Sequence, residues 1–295
     1  MRRGPLFEPN YRPSFSGHET FPLRYGWLKK AFDRVVEIEK ISGGKAQCWG
    51  EDAIAYFGVG KNMVAAIRHW ATLTGIIEEM PGTDILRTTS LGNVLFGSLD
   101  PYAENPTTLW FIHWKLSALP IKTTWFWAFS HYPAITFERD NLVKSLERLS
   151  REENWLRVSG ATLKNDVACF IRTYVPHQTS GQKGFDDALE SPLTELGLIK
   201  AVGKRDGFRF VRGPKSNLGN GMFAYALLDF LDAYSINFPE LIVMETGGMK
   251  GKRKEMVREE LHDILKAGFG VNFIHSEYGM TELLSQAYSS GNGIF

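Results

Sequence analysis

Between residues 57 and 89 the apolar positions change period. Met63, Ile67, Trp70 and Leu73 recur at the spacing of one helix face, and residues 76–80 and 85–89 then form two short strand-like runs. Pro81-Gly82-Thr83-Asp84 between the runs has turn chemistry. Gly58 and Gly60 supply a turn before the helix, and Gly75 ends it. The pattern predicts a helix followed by a hairpin, the order of a winged helix-turn-helix, with residues 51–56 as the first helix of the pair. Opposite the apolar stripe lie Lys61, Ala65, Arg68 and Thr72, with His69 beside them. That face is cationic at some positions, short at others and free of carboxylates, as a helix approaching phosphates requires. Lys61, Asn62, Arg68 and His69 are therefore expected to face a groove, with Asn62 the reader of a base edge. The same residues also fit a solvated helix, or a docking face, in an ordinary α+β domain.

The rest of the chain divides by its patterning. Residues 1–14 read as an arm. Residues 25–39 read as a helix with Trp27, Leu28, Ala31, Phe32 and Val35 inward. His18 stands beside Glu19 in Ser16-Gly17-His18-Glu19-Thr20-Phe21-Pro22, but no third ligand is near, so a loop-fixing hydrogen bond is expected rather than a metal or a catalytic pair. Residues 107–134 hold Trp110, Trp114, Trp125 and Trp127, four of the eight tryptophans; such density predicts core before it predicts a stacking platform for bases. His113, at helical spacing with Leu109 and Leu116, is expected to be a satisfied core histidine. Pro120 ends that helix.

From Arg139 the opening pattern returns. A helix over 141–149, a cap-like turn at Ser159-Gly160-Ala161-Thr162 and a helix over 164–172 are followed by Leu196-Gly197-Leu198-Ile199, which echoes Thr74-Gly75-Ile76-Ile77. A hairpin over 200–202 and 208–212 completes a second winged-helix-like module. Lys164, Arg172, Lys204 and Arg205 are its expected phosphate contacts. Residues 222–234 read as an apolar helix. After Ser235 come a strand at Leu241-Ile242-Val243-Met244, a Gly-rich basic loop over 245–254, a helix with Val257, Leu261, Ile264 and Leu265 inward, and a strand over 271–275, the order of a parallel crossover. The expected organisation is α+β and mostly helical: an arm (1–14), a first module (15–106), an aromatic helical region (107–138), a second module (139–235) and an α/β fragment (236–295).

Composition narrows the function classes. The 295 residues are 43% hydrophobic with a formal net charge of +1, so nucleic-acid binding must rest on local patches rather than a global field. Cys48 and Cys169 are the only cysteines, which excludes a disulfide framework or a cysteine-rich zinc site. No stretch is apolar enough to span a bilayer, and Met1-Arg2-Arg3 does not lead into an apolar run, so a cytoplasmic protein without a membrane partner is expected.

Residues 14–234 resemble an uncharacterised bacterial family, domain-of-unknown-function family 4007. The residues that carry this are Phe15-Ser16-Gly17-His18-Glu19-Thr20-Phe21-Pro22-Leu23-Arg24, Gly58-Val59-Gly60-Lys61-Asn62-Met63-Val64, Asp100-Pro101-Tyr102 and Thr108-Leu109-Trp110-Phe111-Ile112-His113-Trp114. Families of this kind sit in bacterial DNA-modification and defence loci, beside phosphorothioation components. The resemblance thus implies duplex DNA and proteins of a DNA-modification complex as partners, and brings neither catalytic residues nor a cofactor. Residues 240–295 are similar to a truncated piece of the LuxE-type acyl-protein synthetases, which form acyl-adenylates. Glu245-Thr246-Gly247-Gly248-Met249-Lys250-Gly251 and Ser276-Glu277-Tyr278-Gly279-Met280-Thr281-Glu282 carry that likeness. It implies nucleotide contacts at Gly247, Gly248, Lys250, Tyr278, Gly279, Thr281 and Glu282, with Thr281 on an ATP phosphate and Glu282 helping to hold Mg²⁺. The upstream part of such enzymes is missing and no cysteine follows Cys169 to accept an acyl group. A non-catalytic DNA-binding accessory protein is therefore the leading expectation. The alternatives are a protein-interaction subunit without DNA and an acyl-adenylate-forming ligase.

Overall fold

The computed structural model describes residues 4–42, 49–50, 52–156, 158–176, 190–203, 206–211, 242–245, 256–280, 285–291 and 294. It is an α+β chain of helices and small sheets, and its contacts divide into the units Met1–Phe223 and Ala224–Phe295. Among the described residues no helix is long and apolar enough to cross a membrane.

The first unit opens with α1 (Trp27–Ser42), whose buried Trp27, Leu28, Ala31, Phe32 and Val35 form the predicted stripe. Near its other end Glu39 accepts hydrogen bonds from the backbone N–H and the hydroxyl of Thr88, each at 3.0 Å, which ties the helix to the hairpin. The short α2 (Ala53–Phe57) ends at Gly58, whose φ of 65° reverses the chain into α3 (Lys61–Leu73). There Val64, Ile67, Trp70 and Leu73 are buried, and Met63 packs at the margin. Strands β1 (Ile77–Glu79) and β2 (Leu86–Thr88) pair antiparallel, with Ile77 opposite Thr88. The hydrophobic pattern gives no sign of the short helix after this hairpin. Thr89 accepts from the Gly92 N–H at 2.9 Å and caps that helix, α4 (Ser90–Val94). A Cβ at Gly92 would lie 2.2 Å from the Ile76 carbonyl, so only glycine lets this helix sit against the start of the hairpin.

The tryptophan-rich region is core at Trp125 and Trp127, whereas Trp110 and Trp114 are half-buried. Helix α5 (Pro106–Ser117) is capped by Asn105, and a second helix absent from the sequence reading, α6 (Thr123–Ser130), buries Trp125, Phe126, Trp127 and Phe129. His113 lies at hydrogen-bond distance from the Tyr174 hydroxyl (2.9 Å), with Ser117 Oγ at 3.3 Å from its other nitrogen, the satisfied core histidine expected. Burial lowers its pKa to about 3.

Strand β3 (Thr136–Glu138) leads into α7 (Arg139–Glu152) and α8 (Gly160–Tyr174), followed by β4 (Ile199–Ala201) and β5 (Gly207–Phe210). The sheet order is β3-β5-β4, antiparallel throughout. Three residues with only Phe137 inward gave no periodic signal for β3. Helix α8 starts a turn earlier than its apolar pattern because Ser159 caps it, accepting from the Thr162 N–H at 3.1 Å. The echo noted at Gly75 and Gly197 is conformational as well, at φ 73° and 62°. The predicted helix over 222–234 lies outside the described residues.

In the second unit β6 (Val243–Glu245) pairs parallel with β7 (Ile274–Met280), Val243 opposite Ile274, and α9 (Arg258–Phe269) makes the crossover. Leu261, Leu265, Phe269, Val271 and Ile274 form its own small core. Strand β8 (Ser285–Tyr288) pairs antiparallel with the other side of β7, so a third strand covers an edge the sequence reading left open.

Candidate nucleic-acid interface

Helices α3 and α8 each carry an exposed lysine–asparagine pair in their N-terminal half, Lys61-Asn62 on the first turn of α3 and Lys164-Asn165 on the second turn of α8. Further along α3 the arrangement departs from the sequence reading. Arg68 donates from Nε (3.1 Å) and Nη2 (2.6 Å) to Glu79 Oε1 of β1, so the hairpin brings a carboxylate onto a face that looked free of them. His69 turns inward. Its ring packs edge-on against Trp70 at 5.6 Å and His18 at 6.2 Å, and its Nε2 is sealed from solvent with no hydrogen-bond partner among the described residues. Burial, then the nearby Lys122 and His18, lower its pKa to about 3 despite Asp166. A neutral imidazole facing the core is not a phosphate contact, which corrects the groove-facing assignment of His69.

On the second module Lys164 and Arg172 are exposed, and Arg172 Nη1 also donates to the Thr20 carbonyl at 3.3 Å. Lys204 and Arg205 lie outside the described residues. The hairpin stem adds a cation that the sequence did not single out, Lys200. Lys200 on β4 stands directly opposite Arg209 on β5, and both are exposed. Like charges facing each other across a strand pair repel. The first hairpin places Glu78 opposite Arg87 at the same kind of position, with Glu79 next along and tied to Arg68. The signal for Lys200 and Arg209 was their outward alternation with Ile199, Phe208 and Phe210, legible only once the register was known.

Beneath these helices lies a buried charge cluster. Asp166 of α8 holds His18 Nε2 (2.7 Å) and Lys122 Nζ (2.8 Å) on one carboxylate oxygen, while Lys122 also donates to the Ser16 carbonyl at 3.1 Å. The Thr20 N–H donates to His18 Nδ1 at 3.0 Å, so the Nε2 proton is the one that reaches Asp166. Lys122 and Asp166 are fully buried, and the second Asp166 oxygen has no hydrogen-bond partner among the described residues. His18 does fix its loop, as expected. Its charged partners were missed, although Asp166 falls on the Leu163–Val167–Phe170 stripe, where a carboxylate is out of place.

In the second unit Tyr278 and Gly279 lie on β7, with Tyr278 exposed, while Gly247, Gly248, Lys250, Thr281 and Glu282 lie outside the described residues. His262 Nε2 approaches both Glu245 Oε1 (3.4 Å) and Ser276 Oγ (3.3 Å). Both neighbours share one ring nitrogen, so the imidazole cannot relay a proton from serine to carboxylate; the trio joins β6, α9 and β7 rather than forming a nucleophile. No group of three or more His, Cys, Asp or Glu side chains suited to a metal occurs among the described residues.

No curated protein matches the chain. A solved structure described as "Magnesium ion-bound SspB crystal structure" is similar at 32% identity and a TM-score of 0.60, over 76% of this chain and 67% of that one. Another, described as "SspB crystal structure", is similar at 32% identity and a TM-score of 0.60, over 75% and 66%. The chain thus spans about two thirds of the length of these neighbours. The family model described as "Protein of unknown function (DUF4007)" matches residues 15–276, through the strand–helix–strand of the second unit, and the chain belongs to that family.

Proposed function

We propose that this protein binds duplex DNA as a non-catalytic accessory component of a bacterial DNA-modification or defence system, with phosphorothioation as the modification its family resemblance implies. The observation that carries the reading is the exposed Lys200–Arg209 pair, cations that repel each other in the free protein and are relieved by an anionic ligand. Around them, the order β3, α7, α8, β4, β5 with sheet order β3-β5-β4 supports a winged-helix reading, in which α8 would be the groove helix carrying Lys164 and Arg172. The likeness to structures described as SspB supports the same setting. Anisotropy of a labelled duplex with the full chain, across a salt series, tests it. Binding that weakens steeply with salt, and a shallower slope in Lys200→Ser/Arg209→Ser, is expected. No binding at low salt refutes it.

A protein-docking role is favoured at one place, the first module. Its hairpin presents Glu78 and Glu79, and Ile54 and Tyr56 of α2 are exposed nearby in sequence. Retention of a neighbouring component of the modification complex, lost in Ile54→Ser/Tyr56→Ser, is its test.

A further inference from the structure

The turn formed by residues 16–21 is the most strained backbone among the described residues. Gly17 stands at φ 100°, and two consecutive non-glycine residues beyond it lie in the left-handed region, Glu19 at φ 48° and Thr20 at φ 66°. That conformation is uncommon for any L-residue and an outlier for a β-branched one. Strain of this kind persists only where surrounding structure over-determines it, and it concentrates at ligand clamps.

Here the over-determination is explicit. The Ser16 carbonyl takes the buried Lys122 ammonium, and His18 is held by Asp166. A Cβ at Gly17 would fall 2.5 Å from the His69 ring, so the turn is pressed against α3. The Phe21 carbonyl accepts the Trp70 indole N–H at 3.0 Å, and the Thr20 carbonyl accepts Arg172 at 3.3 Å. The anchors come from α3 (His69, Trp70), from α8 (Asp166, Arg172) and from the Lys122 that precedes α6. What all of this holds in place is exposed: the side chains of Glu19 and Thr20 reach solvent and have no hydrogen-bond or ion-pair partner among the described residues.

A fully buried ion pair is a poor source of stability, and so is a left-handed threonine. Their joint product is a constrained two-residue tip whose Thr20 carbonyl takes Arg172 of α8 and whose flanking Gly17 and Phe21 lie against α3. A carboxylate is repelled by phosphate, so Glu19 at such an interface is not a backbone contact. Its oxygens suit an exocyclic amino group on a base edge, and a threonine hydroxyl beside it accepts or donates.

Resting on the DNA-binding reading above, we propose that Glu19 and Thr20 form a preformed base-reading tip between α3 and α8, determining which duplex sequences the protein prefers rather than how tightly it holds phosphates. Full-length wild type, Glu19→Ala and Thr20→Gly are each put through selection from a randomised duplex pool, with salt slopes and melting temperatures measured alongside. The expected result is a loss of about tenfold in discrimination for Glu19→Ala, with an unchanged salt slope. Thr20→Gly, which relieves the left-handed strain, is expected to melt higher and discriminate less, a combination that a merely structural turn would not give. Wild type that binds duplexes without preference, or variants that select the same sequences as wild type, overturns the inference alone. Wild type that binds no duplex removes the DNA reading and this tip with it. Unchanged selection together with loss of a co-purifying protein from Glu19→Ala assigns the tip to a protein interface, and also overturns it.

Discussion

The two helix–hairpin modules present similar outer helices and opposite hairpins. In the first, Glu78 faces Arg87 across the strands and Glu79 captures Arg68, so the hairpin neutralises the helix it flanks. In the second, Lys200 faces Arg209 across the strands, both exposed, in the module whose helix α8 carries Lys164 and Arg172. The inward faces differ too: α3 turns a neutral His69 toward the centre and α8 turns the Asp166 carboxylate. A repeated backbone pattern therefore need not repeat a function. The proposed anion site belongs to the second module, and in the first the Lys61-Asn62 pair at the start of α3 stays exposed.

The most severe way to break the comparison is at the cluster the modules share. Asp166→Asn or Lys122→Met leaves its partner charged and buried, and is expected to cost about 3–5 kcal/mol in urea unfolding. Replacing both together by Met and Leu is expected to recover most of that loss, because an apolar pair of similar volume carries no desolvation penalty. Acid sensitivity ranks second. His113 is neutral in the folded protein down to about pH 3, whereas the unfolded chain takes up its proton near pH 6.5. Its stabilising contribution is complete above that value and is lost as pH falls below it, by about 1.4 kcal/mol per pH unit. The slope of stability against pH between roughly 6 and 4 should be shallower by that amount in His113→Gln.

The hairpins themselves give the sharper, smaller effects. Lys200→Ala/Arg209→Ala is expected to reduce the slope of log affinity against log salt by about 1.8, and Lys61→Ala by about 0.9. Arg68→Ala should change it less than Lys61→Ala, since its guanidinium already serves Glu79. Glu79→Gln, which frees Arg68, is the finest probe. A salt slope steeper than wild type is expected, and an identical slope would show that Arg68 does not face the duplex at all.

Much of this fold was legible in the chain. The stripes on α1 and α3, the burial of the aromatic region and the βαβ order of the second unit all rest on periodicity, which local sequence carries directly. Strand β3 and helix α4 were not legible. Three residues with a single inward Phe137 have no period, and α4 depends on Thr89 capping and on Gly92 passing the Ile76 carbonyl. Of the candidate site, the exposure of Lys61, Asn62 and Lys164 was legible, and side-chain partners were illegible wherever they came from elsewhere in the chain. Nothing near Arg68 announced Glu79, and nothing near His18 announced Asp166 or Lys122, 148 and 104 positions away by residue number.

By itself, then, the sequence determined where the longer amphipathic helices and the two hairpins lie, which of their faces are apolar, and that any nucleic-acid binding must be local on a chain of net charge +1. Only the tertiary structure decided which cations are available. Hydrophobic period is a property of neighbours along the chain, whereas a charge is spent or free according to what the fold brings within about 4 Å of it. Arg68 is tied to Glu79 and His69 is turned inward in that way, and Lys200 and Arg209 are set opposite each other on an exposed strand pair.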